Sequence, residues 1–131
     1  QTDTALPESA EEDEADPDAF RYDDLFFYED SRRPRFIRIR DIEWIAAEGN
    51  YTELHLTDGG TALTGTTLTE WTERLPDAHF ARIHRSTIVN IEHVTEVTQS
   101  DGRSYEVHVP GRSAPLSMSR RRARTLTDRM G

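Results

Sequence analysis

The stretch Trp44-Ile45-Ala46-Ala47-Glu48-Gly49-Asn50-Tyr51-Thr52-Glu53-Leu54-His55-Leu56-Thr57 joins an apolar run to a two-residue alternation through a Gly-Asn pair. A strand sends successive side chains to opposite faces. Tyr51 to Thr57, with Leu54 and Leu56 on one face, therefore reads as a strand, and Trp44 to Ala47 as the strand before it. Gly49-Asn50 marks a hairpin or loop, because both residues tolerate tight-turn backbone angles. Working upstream, Asp41-Ile42-Glu43 reads as a single turn, and Phe36 to Arg40 alternates with Ile37 and Ile39 inward. Ser31-Arg32-Arg33-Pro34 reads as a turn after a first strand at Leu25 to Tyr28. Downstream, Asp58-Gly59-Gly60 is a turn and Thr61 to Gly65 the next strand.

One short helix follows. Thr67-Leu68-Thr69-Glu70 fits a capping box, in which the Thr67 hydroxyl takes the third amide and Glu70 reaches back. Leu68, Trp71 and Leu75 recur at helical spacing, and Pro76 ends the run. Phe80 to His84 is strand-like. Arg85 to Asn90 reads as a connection holding the apolar pair Ile88-Val89. Val94 to Thr98 and Tyr105 to Val109 are β-rich runs on either side of a Ser100-Asp101-Gly102 turn, and Ala114 to Met118 is a last strand. Ser119 caps a terminal helix through Arg129 whose apolar line is Ala123, Leu126 and Met130. The sum is a mostly-β domain, residues 20–131, with two small helices.

Charge is unevenly spread along the 131 residues. Residues 1–30 hold twelve acids and one arginine, which leaves fifteen basic residues against thirteen acids in 31–131. Gln1 to Ala19, with Pro7, Pro17 and no apolar period, reads as a solvated acidic linker in preference to an arm that covers a basic face. All 16 basic residues are arginine, a planar fork of donors suited to guanine edges and phosphates. There is no cysteine, so neither disulfides nor thiolates hold the fold. No apolar run approaches a membrane span and no signal peptide is visible, so a cytoplasmic location is expected.

Three polar or arginine-bearing tips stand at the ends of apolar strands: Glu48 to Tyr51, Arg82 to Ser86, and Ser117 to Arg122 with Arg124 beyond. Here the chain resembles a known family. The segments Asp41-Ile-Glu-Trp-Ile-Ala-Ala-Glu-Gly-Asn-Tyr51, Phe80-Ala-Arg-Ile-His-Arg-Ser-Thr-Ile-Val-Asn90 and Pro115-Leu-Ser-Met-Ser-Arg120 are similar to the three signature stretches of the LytTR DNA-binding domain. The likeness runs from about Leu25 to Met130, and the middle segment is the most specific.

The resemblance implies an elongated stack of three small antiparallel sheets with one short internal helix and one C-terminal helix. It also implies loops, rather than a recognition helix, entering two successive major grooves of double-stranded DNA. Carried over by position, the base readers are Asn50, Tyr51, Thr52, Arg85 and Arg120. The chemistry agrees, since arginine pairs bidentately with guanine O6 and N7 and asparagine with adenine. Arg82, Ser86, Ser119, Arg121, Arg122 and Arg124 are the expected phosphate contacts, which set register and carry salt dependence. The implied role is transcription regulation in a two-component system, as the output domain of a response regulator. Family members act as homodimers on promoter direct repeats, and the receiver or sensor domain upstream lies outside this chain.

Blander roles are set beside these. An Arg120-Arg121-Arg122 run taken alone is a solvated helix face. His84 is expected to be half-buried and bonded to the next loop, and Asn90 to cap or turn the backbone. Trp44, Trp71 and Phe80 are expected in the core; Tyr51 packs or meets a phosphate through its hydroxyl. The histidines at 55, 79, 84, 93 and 108 have no metal-ligand spacing, and no Gly-rich phosphate loop exists, so neither cofactor, metal nor enzyme is expected. The competing reading is an interaction module whose arginine face binds an acidic partner. An RNA binder would need exposed aromatics on a sheet face.

Overall fold

The computed structural model describes residues 19–30, 32–100 and 104–130, with the backbone alone for Asp30, Ser100, Arg129 and Met130. The acidic segment expected over Gln1 to Ala19 lies outside the described residues apart from Ala19, as do Ser31 and Asp101-Gly102 of two expected turns.

Strands β1 (Leu25–Asp30) and β2 (Arg33–Arg38) form an antiparallel ribbon with Leu25 opposite Arg38 and Asp30 opposite Arg33. Arg33 and Pro34, expected in the turn, are instead the first residues of β2. The reversal is tighter than four residues, and Arg32 takes a positive φ of 70° to make it. The chain then makes one 3-10 turn, Ile39–Asp41, two residues earlier than expected. It continues through β3 (Ile42–Glu48), β4 (Tyr51–Leu56), β5 (Thr61–Thr64) and helix α1 (Leu68–Arg74). Next come β6 (Phe80–His84), β7 (Thr87–Asn90), a 3-10 turn at Ile91–His93, β8 (Glu96–Ser100), β9 (Ser104–His108), β10 (Leu116–Met118) and α2 (Arg120–Met130). Among the described residues the strands form three antiparallel sheets: β1-β2, β5-β4-β3-β7-β6 and β10-β9-β8. No helix in the described residues is long and apolar enough to cross a membrane.

The five-stranded sheet is the middle layer and is covered on both faces. Ile45, Leu54, Ala62, Phe80 and Ile88 face a core shared with Ile37, Ile39, Leu68, Trp71 and Leu75. Trp44, Ala81, Ile83 and Val89 face a second core, shared with Val107, Leu116, Met118, Ala123 and Leu126. This two-sided burial corrects the reading of Arg85 to Asn90 as a connection. Only Arg85-Ser86 turn; Thr87 onward is β7, hydrogen-bonded between β3 and β6. A strand buried on both faces loses its alternation and shows a plain apolar pair, here Ile88-Val89.

Local signals hold where the chemistry is local. The Thr67 hydroxyl accepts from the Glu70 amide at 3.1 Å and the Glu70 carboxylate accepts from the Thr67 amide at 2.9 Å. Those hydrogen bonds hold the Glu70 carboxyl below its usual range. Asn90 is fully buried: its amide nitrogen donates to the Ile42 carbonyl at 3.0 Å, and its oxygen accepts from the Glu92 amide at 3.0 Å. It thus caps the 3-10 turn, the role expected for it.

One buried carboxyl group ties the third sheet's loop to the middle sheet. Glu43 is 2% exposed, and its carboxylate accepts from the Gly111 amide at 2.8 Å. A Cβ at 111 would collide with that carboxylate. The atoms met are the far end of a flexible side chain, so Gly111→Ala is expected to push the Glu43 carboxylate off the Gly111 amide and to cost about 1 kcal/mol, the net worth of that hydrogen bond. Thermal unfolding checks this, and an unchanged Tm would contradict it.

Candidate nucleic-acid interface

Antiparallel pairing decides which turns share an end of the middle sheet. β3 pairs antiparallel with β4 on one side and β7 on the other. The β3–β4 turn at Gly49-Asn50 and the β6–β7 turn at Arg85-Ser86 therefore emerge together. Gly49 takes a φ of 59°, a geometry that favours glycine. Just past the last ladder pair, Ala46 with Thr87, the Ala47 amide donates to the Ser86 carbonyl at 2.9 Å. The third segment joins from the other flank. The Ser119 amide donates to the Ile83 carbonyl at 3.1 Å, which docks the start of α2 beside the end of β6. The three segments thus form a row with the Arg85 turn in the middle.

The Arg85 turn is pinned from inside. The Arg82 guanidinium donates to the Arg85 carbonyl. His84 Nδ1 accepts from the Ser86 amide at 3.2 Å and lies 2.9 Å from the Ser86 hydroxyl. His84 is half-buried, so it holds the loop, as its sequence position suggested. Arg85 itself is exposed at the tip. At α2, Ser119 caps the helix: its hydroxyl accepts from the Arg122 amide at 3.3 Å and its carbonyl from the Ala123 amide at 2.9 Å. Arg120, Arg121 and Arg124 are exposed. Arg120 and Arg124, four residues apart, share a helix face.

Not every expected contact residue reaches outward. Thr52 is 1% exposed, and its hydroxyl meets Thr64 Oγ1 at 3.0 Å, the Thr66 carbonyl at 2.8 Å and Trp71 Nε1 at 2.9 Å. Its side chain is a core pin, and the expectation of a base contact through it is corrected. The alternation of β4 turns Thr52 inward and leaves Tyr51, 57% exposed, beside exposed Asn50. Arg122 is partly buried and donates to the Arg82 carbonyl at 3.4 Å. Burial, then the like charges of Arg82 and Arg121, hold its guanidinium below the usual arginine range. Arg82 and Arg122 thus brace the Arg85 turn. That bracing role escaped the sequence reading, although Arg122 precedes the buried Ala123, a periodic hint that it sits at the edge of the packed face. Among the described residues no three His, Asp or Glu side chains are grouped to hold a metal ion.

Arg82→Ala removes the brace while leaving the Arg85 side chain in place. It is expected to raise amide hydrogen exchange at Arg85-Ser86 more than at Gly49-Asn50. Uniform exchange across both turns would contradict the bracing role.

Comparison with known proteins adds three findings. The family model described as the LytTr DNA-binding domain matches residues 32–131. Among solved structures, the chain is similar to the LytTr DNA-binding domain of a protein described as a methyl-accepting/DNA response regulator from Bacillus cereus. The two share 18% identity at a TM-score of 0.72, and the match covers 82% of this chain and 96% of that one. No curated protein matches the chain.

Proposed function

The chain belongs to the LytTr DNA-binding domain family, and from that membership we propose that it reads specific duplex sites with the three-segment row at the end of its middle sheet. What carries the reading is the pair of backbone hydrogen bonds, Ala47 to Ser86 and Ser119 to Ile83, that draws sequence-distant polar tips together. Arg85 and Arg120 are the base readers, each able to fork onto guanine O6 and N7. Asn50 and Tyr51 flank them. Ser86, Ser119, Arg121 and Arg124 meet phosphates and set register. Arg82 and Arg122 act by holding the Arg85 turn in place before DNA arrives, which lowers the ordering cost of binding. In this reading the loops enter successive major grooves of a promoter direct repeat. The biological role is transcription regulation as the output end of a response regulator, with dimer contacts supplied by a receiver or sensor domain joined to this one.

Selection of bound duplexes from a random pool tests the function. A DNA reader enriches one motif and binds it at least about a thousandfold tighter than random duplex at physiological salt. A pool without an enriched motif would overturn the proposal and favour an acidic protein partner for the arginine face. A finer test concerns Arg121. Arg121→Ala is expected to weaken selected and random duplexes alike and to lower the salt slope by roughly one; an unchanged slope removes Arg121 from the phosphate contacts.

A further inference from the structure

The β1–β2 ribbon has two faces of opposite character. Residues directly opposite in an antiparallel pair share a face. Phe26, Tyr28 and Ile37 pack into the first core. The outer face carries Leu25 and Arg38 at one end, Phe27 and Phe36 in the middle, and Glu29 and Pro34 at the other end. Phe27 and Phe36 stand 53% and 63% exposed although their rings pair at 5.3 Å, and Leu25 is half exposed beside them. A contiguous apolar patch rimmed by charge marks an interaction surface.

The charges on this face decide what fits it. At one end the Arg38 guanidinium donates to the Asp23 carbonyl at 2.7 Å, which fixes its place. At the other end Glu29 is exposed. With opposite charges at its two ends and an aromatic pair between them, the face is complementary to itself. A two-fold axis across the strands lays the Arg38 end of each copy over the Glu29 end of the other and brings the two phenylalanine pairs together. That is the symmetry of an isologous contact, in which each residue meets its counterpart twice.

We propose that the outer face of the β1–β2 ribbon is a contact between two copies of this chain, with Phe27 and Phe36 at its centre and Arg38–Glu29 pairs at its ends. The footprint sets the strength. Two six-residue strands cover about 20 Å by 10 Å, well short of the roughly 800 Å² per partner of a standard interface, so the pairing is transient. Copies on a direct repeat are related by a shift along the duplex, which a two-fold is not. Ribbon pairing therefore belongs to the chain off DNA and does not rest on the proposed function.

Sedimentation equilibrium of the full chain over a dilution series, without DNA and at physiological salt, tests the pairing. The expected result is monomer–dimer association that Phe27→Ser and Phe36→Ser each weaken at least about tenfold, as loss of a central aromatic anchor does. Glu29→Arg and Arg38→Glu each set like charges against one another and weaken association. Mixed together, these two variants regain it, because one copy then carries arginine at both ends and the other glutamate. Neither misfolding nor a different partner imitates that rescue. Association left unchanged by either phenylalanine variant, a mixture no stronger than its separate components, or a chain that stays monomeric at roughly millimolar concentration would overturn the proposal.

Discussion

Arg85→Ala and Arg120→Ala are each expected to cost about 1–3 kcal/mol at the selected duplex, with a smaller loss on random duplex, so that preference collapses at the base pair each one reads. The expectation follows from how the two side chains are held. Arg85 stands exposed on a turn pinned by Arg82 and His84, and Arg120 stands exposed at the start of a helix capped by Ser119. A guanidinium on a preorganised mount spends little on ordering and returns its hydrogen bonds as discrimination. Lysine separates charge from geometry. Arg85→Lys keeps the positive charge and loses the planar fork, so it should restore binding to random duplex without restoring preference. Titrations of both duplexes at one salt concentration check this. Equal losses on the two would show that Arg85 and Arg120 meet only the backbone.

Trp71→Ala should be the most damaging core change, at about 3–5 kcal/mol, a large share of the roughly 5–15 kcal/mol that holds a domain together. Trp71 is fully buried, stacks on Phe20 at 5.8 Å and meets the edge of Phe26 at 4.9 Å. Its indole nitrogen donates to the Thr52 hydroxyl at 2.9 Å. The loss therefore leaves a large void under α1 and removes one partner of the residue that follows Tyr51. Denaturant unfolding measures the effect; a loss below about 1 kcal/mol would mean that the core recloses around the gap, and would contradict the expectation.

The two sides of this molecule were unequally legible in its sequence. Three local signals held: the Thr67–Glu70 capping box, the Gly49-Asn50 turn and the alternation of Tyr51 to Leu56 each reflect chemistry within a few residues, whereas the turns read at Ser31 to Pro34 and Asp41 to Glu43 shifted with the pairing of the strands beside them. β7 was hidden because both its faces are buried, and an Ile-Val pair without alternation carries no period to read. The site divides the same way. Arginines at strand tips are visible as residue types, but their orientation depends on partners far along the chain. Arg122 turns toward a carbonyl 40 residues away, and Thr52 is claimed by Thr64 and Trp71. A family likeness carries positions across, and it does not carry which side chains point inward.

Amide NMR shifts on titration with the selected duplex bear most directly on the convergence of the three segments. The account predicts that residues 49–51, 85–86 and 119–124 shift together along one titration curve, while the β1–β2 ribbon around Phe27 and Phe36 stays still. Shifts centred on that ribbon or on α1, with the Arg85 turn unmoved, would contradict it.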